Sequence, residues 1–584
     1  MKRLLIVLAS ALVGSIATVA CAGGGTEVVE KIVEVPVVEE VVKEVEVEKI
    51  VEVEKEVVKE IEVERVVEVE VEKLLVATPT PPPVTGGPQF GGTLRIVSQA
   101  SIASLDPAFD GSYVAIAVGS HLFESPLGWN LNLEDQPRMA NSWDISTDGL
   151  TWTFHLRPGM LFHNGEPVTA QDVVTSFGRY LNGAHAAATL MKEFTDNENQ
   201  FTVIDDLTFT VNLLQPYGAI ATSIARPWAS MYAMPHSVIH DTSFTAPAPE
   251  WVGSGPYEFE DWRQGDRVTL RRFEDYVGRD EASSLYAGKQ VAYIDQLIWL
   301  EVPSEETKIA GLETGEWDIV DGAGLDFFER TDQNPDLVVP VYKPGHRSDF
   351  RPWAGFPPFD DLLARRALQV GIDIEATMFA LGGRELWDLC PAVFYCGTPL
   401  ETFIGADQYY NVNDKELARE LVAQSSYDGE TVVLLNPNDY ATITPVGIVI
   451  KKEIEAIGFN VEQPALDWAT VLGTFGEERS ETYAGLSGWA SHWCCGEPLS
   501  DFYLDGDGWF LAQVPELKRL RIEYAQATDQ KERFEIVEQL QLEAYKNVVI
   551  VYLGTWYAIF PHTKDLKNFE VKAFPYYANV WLER

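Results

Sequence analysis

A low-complexity segment of 50 residues confines any globular fold of this chain to the residues that follow it. Residues 27 to 76 contain 17 Glu, 7 Lys or Arg and 25 Val, Ile or Leu, and Pro36 is the remaining residue. The segment is internally duplicated, because residues 42–57 and 58–73 are identical at 11 of 16 positions. From Phe90 onward the composition changes to that of a globular protein.

The conformation of this segment stays open. Its alternation of apolar residues with Glu favours an extended chain, its Glu and Lys content favours a helix, and the heptad spacing of a coiled coil is not sustained. The run Thr78-Pro79-Thr80-Pro81-Pro82-Pro83 follows it and is typical of a stiff linker. We expect a stalk that holds the globular body away from a membrane; a solvated acidic tail is the alternative.

The first residues predict export. Lys2 and Arg3 precede the apolar or small stretch Leu4 to Ala20, which is typical of a secretory signal and short for a membrane span. The stretch ends Thr18-Val19-Ala20-Cys21-Ala22-Gly23-Gly24-Gly25, which resembles a bacterial lipobox, in which the Cys is acylated and becomes the mature N-terminus. We therefore expect residues 1–20 to be a signal peptide and Cys21 to be a lipid anchor, with ordinary signal cleavage as the alternative.

The length of the chain bears on its number of packed units, and its net charge limits its possible partners. A chain of 584 residues exceeds what one core usually supports, so we expect two or more packed units. The formal net charge of -45 repels phosphate backbones, and nucleic acid is not an expected partner. The charge fits a secreted or surface protein.

The body has a mixed α/β texture. Alternating residues predict strands at 93–97, 151–156 and 207–213, and Thr169 with Asp172 predicts a capped helix between the last two. Residues 431–435, 441–457 and 459–461 predict a β-α-β unit with parallel strands. Two helices, 517–526 and 529–545, precede an apolar strand at 548–553.

Several phrases resemble the bacterial extracellular solute-binding proteins of the peptide, oligopeptide and nickel class, known as family 5, over nearly all of residues 90–584. The phrases are Gly91-Gly92-Thr93-Leu94-Arg95-Ile96, Leu105-Asp106-Pro107, residues 141–159 continuing into 162–173, Gly253-Ser254-Gly255-Pro256-Tyr257, residues 312–319, and Pro358-Phe359-Asp360-Asp361 with residues 366–368 and 372–373. Most of these phrases suit turns and loops, so we expect His155 and His163 to be structural and not catalytic.

The resemblance implies a two-lobe α/β fold of the periplasmic-binding-protein type, which traps a solute between its lobes and delivers it to an ABC importer. Carried onto this sequence, the stalk and linker occupy residues 21–87, lobe one occupies 88–302 plus 553–584, and lobe two occupies 303–552. The strand ending at Val302 precedes a predicted helix, which makes Val302-Pro303 a candidate hinge.

The resemblance also implies ligand-binding residues. On lobe one they are Ser101, Ile102 and Ala103; on lobe two they are Trp489, His492 and Trp493; and on the returning strand they are Tyr552 and Trp556. In peptide-binding relatives, an Asp in the Trp-Cys segment pairs with the α-amino group of the peptide. Residues 488–498 contain no Asp, and only Glu497 or Asp501 could substitute from a shifted position.

The chain has five Cys. Cys390 and Cys396 could close a small disulfide loop in an exported protein. The neighbouring Cys494 and Cys495 stay ambiguous, because a bond between them would be strained and binding of a soft metal together with His492 is the other possibility. No metal or other cofactor is predicted.

The predicted function is therefore a lipid-anchored, monomeric receptor outside the cytoplasmic membrane, which binds a small peptide-like solute and contacts the permease subunits of an importer. An oligosaccharide or another solute is the alternative ligand. A secreted hydrolase is the alternative of another class, although the sequence lacks His-Glu-x-x-His, Gly-x-Ser-x-Gly and Walker A motifs. A purely structural surface protein is a third possibility.

Overall fold

The computed structural model describes residues 87–584, apart from residues 103, 107–111, 131–133, 183–185, 196–199, 227–230, 241–247, 344, 439, 474–484, 492–497, 500, 505–511, 528 and 572–573. The predicted signal peptide, Cys21 and the stalk lie outside the described residues.

The strands of the described residues are, in chain order, β1 (Thr93–Val97), β2 (Leu127–Trp129), β3 (Asp135–Pro137), β4 (Ala140–Ile145), β5 (Thr151–Leu156), β6 (Phe201–Asp205), β7 (Thr208–Asn212), β8 (Tyr257–Arg263), β9 (Arg267–Arg272), β10 (Gln296–Leu300), β11 (Ile319–Val320), β12 (Leu337–Val338), β13 (His346–Pro352), β14 (Trp387–Asp388), β15 (Thr431–Leu435), β16 (Asn460–Glu462), β17 (Gly485–Ser491), β18 (Val551–Trp556), β19 (His562–Thr563), β20 (Leu566–Lys567) and β21 (Trp581–Leu582).

The helices of the same residues are α1 (Tyr113–Leu122), α2 (Ala170–Leu181), α3 (Ala186–Phe194), α4 (Ile220–Ala225), α5 (His236–Ile239), α6 (Glu305–Thr314), α7 (Phe328–Asp332), α8 (Leu362–Gly371), α9 (Ile374–Phe379), α10 (Ala406–Tyr409), α11 (Lys415–Gln424), α12 (Thr444–Ala456), α13 (Trp468–Gly473), α14 (Pro515–Gln526) and α15 (Gln530–Asn547). No helix among these residues is long and apolar enough to cross a lipid bilayer.

A seven-stranded sheet in the order β12-β19-β11-β1-β10-β9-β8 organises the first half of the body. Its centre is parallel, because β1 pairs in parallel with both β10 and β11. Every residue of α1 is buried. The loop between Gly253 and Gly255 packs against the end of α1 so closely that a Cβ on Gly253 would lie 2.0 Å from the Leu122 carbonyl oxygen. This close approach explains why that phrase contains glycine.

His163 holds the same loop in place. Its Nδ1 accepts a hydrogen bond from the Gly253 N–H, and its Nε2 contacts the Gly255 carbonyl oxygen, both at 3.1 Å. Burial lowers the pKa of His163 to about 4, so the ring is neutral. These contacts give His163 a structural role in the described residues.

A smaller four-stranded antiparallel sheet, in the order β4-β5-β7-β6, carries the long phrase that begins at Asn141. In β5 the buried residues Trp152, Phe154 and Leu156 alternate with half-buried ones, as the predicted pattern requires. Helix α2 follows and begins with the predicted capping box of Thr169 and Asp172.

The second half of the body is built on a six-stranded sheet in the order β14-β18-β13-β17-β15-β16. The predicted β-α-β unit is present: β15, α12 and β16 follow each other, and the two strands pair in parallel. Strand β17 is also parallel to β15. The carboxyl ends of β15 and β17 therefore point in the same direction.

The chain crosses between the two large sheets twice. It leaves the seven-stranded sheet after β12, through residues 339–345, and returns after β18, through residues 557–561. The two crossing segments pair with each other, since Tyr342 N–H donates to the Ala558 carbonyl at 2.8 Å and Phe560 N–H donates to the Pro340 carbonyl at 3.1 Å. Two paired crossings are the arrangement expected of a two-lobe fold.

The crossings do not coincide with the boundaries expected from the sequence. The segment after Val302 enters α6 and then β11, which pairs with β1 in the first sheet. Strand β18 pairs with β13 in the second sheet along residues 551–556, on both sides of the expected boundary at 552/553. The chain therefore stays in the first sheet as far as Val338. Val302-Pro303 lies in the connection between β10 and β11, which both belong to that sheet, and not at a crossing between the sheets.

Candidate ligand-binding site

Loops that follow parallel strands of both sheets meet at one boundary between the lobes, here called the crevice. On one side lie the loops that follow β1 and β11, residues 98–102 and 321–324; on the other side lies the loop after β15, described at residues 436–438 and 440–441. The Tyr440 hydroxyl donates to Gln99 Oε1 at 3.4 Å across this boundary. Ligands of open α/β sheets bind outside the carboxyl ends of the strands, so this crevice is the candidate site.

Helix α6 holds the two loops of the first sheet together. Lys308 is buried; its Nζ donates to the Gln99 carbonyl at 3.0 Å and pairs with Glu305 at 2.6 Å. Glu305 Oε2 in turn accepts from the Gly324 N–H at 3.0 Å. The Ser304 side chain caps the helix, which sets the direction in which Lys308 and Glu305 project.

The structure describes two of the three predicted lobe-one residues. Ser101 is exposed and Ile102 is buried. Both belong to the loop that follows β1, and Ser101 is two positions after Gln99. Ala103 lies outside the described residues.

A buried carboxylate, Asp321, lies at the end of β11. Its Oδ1 accepts a hydrogen bond of 2.6 Å from the Tyr113 hydroxyl, and its Oδ2 has no hydrogen-bond partner in the described part of the chain. Burial raises the pKa of Asp321 to about 7, against the opposing effects of Tyr113 and Lys308. The carboxylate is therefore poised between its charged and neutral forms near neutral pH.

The predicted Trp-Cys segment continues from β17. The backbone of Trp489 pairs opposite Asp349 on β13, and the strand runs on to Ser491, toward the same end of the sheet as the loop after β15. His492, Trp493, Cys494, Cys495 and Glu497 lie outside the described residues, as does the side chain of Trp489.

Tyr552 and Trp556 are both buried on β18, 3% and 1% exposed. The Arg347 guanidinium lies over the Tyr552 ring at 5.2 Å, and the Tyr545 ring meets it edge-on at 5.6 Å. The Trp556 ring packs 4.8 Å from the ring of His346. Both side chains pack within the second lobe, and neither presents more than a few per cent of its surface to solvent in this structure.

Asp501 belongs to a buried ionic cluster and not to the wall of the crevice. Arg347 pairs with Asp501 at 3.0 Å and with Asp349 at 3.2 Å, and Asp349 pairs with Arg351 at 2.7 Å. All four side chains are at most 4% exposed. The charge of Asp501, a candidate substitute by sequence position, is thus already compensated by Arg347 in this structure.

Cys390 and Cys396 form a disulfide with a Cα–Cα distance of 5.9 Å. The loop that they close contains Val393, whose carbonyl accepts from Arg347 Nη1 at 3.0 Å and whose N–H donates to Gln541 Oε1 at 2.9 Å. The disulfide loop therefore supplies part of the lining of the ionic cluster.

The described residues form no metal cluster, and a surface cavity lies apart from the crevice. Within the described ranges, no group of three or more His, Cys, Asp or Glu side chains could hold a metal ion. A surface cavity of about 340 Å³ lies beside β9 and is lined by residues that include Phe90, Arg272 and Lys289. It shares no residue with the crevice.

Comparison with known proteins identifies the family. Residues 134–508 match the family described as bacterial extracellular solute-binding proteins, family 5 Middle. The chain belongs to this family.

Its relatives include the Probable peptide ABC transporter periplasmic-binding protein y4tO of Sinorhizobium fredii, which is 27% identical over 405 residues, 68% of this chain and 74% of that protein. The Periplasmic oligopeptide-binding protein OppA of Escherichia coli is 26% identical over 496 residues, 77% of this chain and 85% of that protein.

Solved structures show the same fold. The dipeptide-binding protein of Pseudoalteromonas sp. SM9913, in complex with Met-Leu, superposes with a TM-score of 0.71 at 19% identity and covers 84% of this chain and 100% of its own. The periplasmic binding protein DppA of Helicobacter pylori, in complex with peptide STSA, gives a TM-score of 0.70 at 21% identity, covering 85% and 99%. The predicted family and the two-lobe α/β fold are confirmed.

For this family 5 protein, sequence reasoning missed Asp321, Lys308 and Tyr440. Asp321 follows the phrase at residues 312–319 by two positions and sits directly after the apolar pair Ile319–Val320. An acidic residue at the end of a buried strand is the signal that could have identified it. That signal is weak in a chain with 89 acidic residues.

Proposed function

We propose that this chain is the extracytoplasmic receptor of an ABC importer and that it captures a short peptide between its two lobes. The family match over residues 134–508 carries this proposal, because the family consists of solute-binding proteins. Two relatives, y4tO and OppA, are named as peptide-binding proteins, which makes a peptide the favoured solute. The receptor binds and releases its solute without chemical turnover.

The crevice supports capture by closure. The loops at residues 98–102 and 321–324 belong to one lobe and the loop at 436–441 belongs to the other, so the solute contacts both lobes only when they approach. Such a ligand shifts the open and closed populations by its differential affinity for the closed form. The paired crossings at 339–345 and 557–561 are the proposed hinge.

We further propose the predicted contacts to the solute. Ser101, Ile102 and Ala103 would contact it from lobe one, and Trp489, His492 and Trp493 from the end of β17. Tyr552 and Trp556 would pack behind these residues and support them, since both are buried. The chain is proposed to act as a monomer that docks on permease subunits, held outside the membrane by a signal-processed and acylated Cys21.

The proposal is tested with the full chain purified in mild detergent. Di- and tetrapeptides are titrated by calorimetry, the melting temperature is followed at saturation, and the recovered peptides are analysed by mass spectrometry. We expect saturable binding, a rise in melting temperature, a smaller radius of gyration in solution scattering, and intact peptides.

Two results would contradict this function. Cleavage of the bound peptides would identify a hydrolase. Failure of every peptide to raise the melting temperature, while another solute raises it, would keep the receptor but exclude the peptide as its cargo.

A further inference from the structure

Asp321 is a buried carboxylate at the crevice, and the described residues around it satisfy the hydrogen-bonding capacity of only one of its two oxygens. The residue is 1% exposed, and its Oδ2 finds no hydrogen-bond donor among the described residues. A buried carboxylate oxygen normally has a donor, because an unpaired polar atom in the interior costs free energy. The oxygen therefore has an unused capacity to accept a hydrogen bond.

The groups around Asp321 leave its charge largely uncompensated. Tyr113 from α1 occupies Oδ1, and Lys308 from α6 is already engaged by the Gln99 carbonyl and by Glu305. Burial raises the pKa of Tyr440, from the loop after β15, and of Tyr577, from the C-terminal segment, and the charge of the nearby Asp321 raises both further. The cluster thus combines one carboxylate with three aromatic side chains.

We propose that Asp321 binds a protonated amino group of the solute, so that the crevice takes a small ligand bearing an ammonium group, such as the free N-terminus of a short peptide. The inference rests on the proposed function and names the anchor that it needs. Residues 488–498 contain no Asp, and Asp501 is paired with Arg347, so neither supplies this carboxylate.

An ammonium group matches this site chemically. It carries three donors and no acceptor, so it can satisfy Oδ2 and also contact aromatic faces or hydroxyls. The net charge of -45 favours the approach of cations. Tyr440 belongs to the opposite lobe, contacts Gln99 and senses the charge of Asp321, so we expect separation of the lobes to open the side of Asp321 that Tyr440 faces and closure to cover the ligand.

The test compares amines with their acetylated counterparts. The probes are L-Ala-L-Phe, N-acetyl-L-Ala-L-Phe, phenethylamine and N-acetylphenethylamine, titrated into the full chain at pH 7.5 and pH 5.5. We expect an amine to bind at least about tenfold more tightly than its acetylated form, since acetylation removes the positive charge. Asp321→Asn should abolish that preference.

The pH dependence of amine binding shows whether the ionised form of Asp321 is the form that binds the amine. Burial raises the pKa of Asp321 to about 7 and raises those of Tyr113, Tyr440 and Tyr577 above the ordinary value, so in this range the carboxyl titrates and the phenols do not. Amine binding should weaken at least about tenfold from pH 7.5 to pH 5.5 as the carboxylate is protonated. In Asp321→Asn, binding should not change between these two values.

The matched control is Asp326→Asn, the same change at an exposed position of the same segment. It should bind all four probes as the unmodified chain does. Asp321→Asn should fold, because it removes a group whose ionisation above pH 7 opposes folding; its melting temperature at pH 8 should equal or exceed that of the unmodified chain.

The outcomes distinguish this inference from the proposed function. Equal binding of free and acetylated peptide would overturn the inference and leave a peptide receptor. Binding of phenethylamine alone, dependent on Asp321, would support the inference and overturn the peptide cargo. A retained preference for amines in Asp321→Asn, tighter amine binding at pH 5.5, or no binding of either amine would overturn the inference.

Discussion

At the scale of single residues, the buried ionic cluster of the second lobe concentrates charge in the interior. Arg347 lies between Asp349 and Asp501, with side chains 4%, 0% and 0% exposed. Such a cluster adds little stability over apolar packing, but removing one member leaves an uncompensated buried charge. Replacing one charged residue of the cluster by a neutral one is therefore expected to lower the free energy of unfolding.

We predict that Asp501→Asn lowers the free energy of unfolding by about 3 kcal/mol, because Arg347 loses one of its two carboxylates at a buried position. Urea denaturation followed by tryptophan fluorescence measures the loss. The control is Glu535→Gln, which breaks an exposed i,i+4 pair with Lys531 and should cost at most about 0.5 kcal/mol. Similar losses in both variants would contradict a buried, coupled cluster.

Single residues also show which features of the site could be predicted from the sequence and which could not. Spacing suggested a disulfide between Cys390 and Cys396, and the two Cys are bonded in the structure. Asp501 was a candidate anchor by sequence position alone, and only the structure shows that Arg347 already compensates its charge. Burial and pairing arise from contacts between distant segments, here 154 residues apart, which no local pattern encodes.

At the scale of elements, periodic segments were predictable and short ones were not. The strand at Thr93–Val97 and the capped helix α2 follow from alternation and capping. The apolar run at 548–553 predicts a strand, but the strand begins at Val551, because Val548 takes a left-handed conformation at φ 46° that ends α15. Strands β11 and β12 have two residues each, too few for a period, so the position of the crossing could not be predicted.

Gly345, at the end of the first crossing segment, gives a test of this element. Its φ is +92°, and a Cβ there would lie 2.5 Å from the carbonyl oxygen of Trp556 on the returning chain. We predict that Gly345→Ala lowers the free energy of unfolding by about 3 kcal/mol, from the strained conformation plus the clash. Chemical denaturation checks this value.

The control for Gly345→Ala is Gly159→Ala. Gly159 has a similar φ of +80°, but no atom lies within 4 Å of the Cβ position. This variant should lose only about 1 kcal/mol, the cost of the left-handed conformation. An equal loss in the two variants would mean that the crossing segments are not packed as tightly as the structure has them.

At the scale of the whole molecule, the fold could be predicted because the family phrases perform structural tasks that many sequences share. The glycines of the phrase at 253–257 allow the close approach to α1, and His163 fastens that loop. The identity of the solute could not be predicted in the same way. It depends on which side chains meet across the crevice, and those come from loops of two different lobes.

The last prediction concerns the attachment of the whole molecule to its membrane. The stretch Leu4 to Ala20 is short for a span and is followed directly by Cys21, so Cys21 is the proposed anchor. Acyl chains hold a protein at a bilayer through the burial of their methylene groups, about 0.8 kcal/mol each.

We predict that Cys21→Ser moves the protein from the membrane fraction to the soluble extracytoplasmic fraction, measured by immunoblot after fractionation. Cys494→Ser, the same change elsewhere in the chain, should leave the protein with the membrane. If Cys21→Ser stays in the membrane fraction, Cys21 is not the anchor. If the mature N-terminus of the unmodified chain carries no lipid by mass spectrometry, the chain is an ordinary secreted receptor cleaved after its signal.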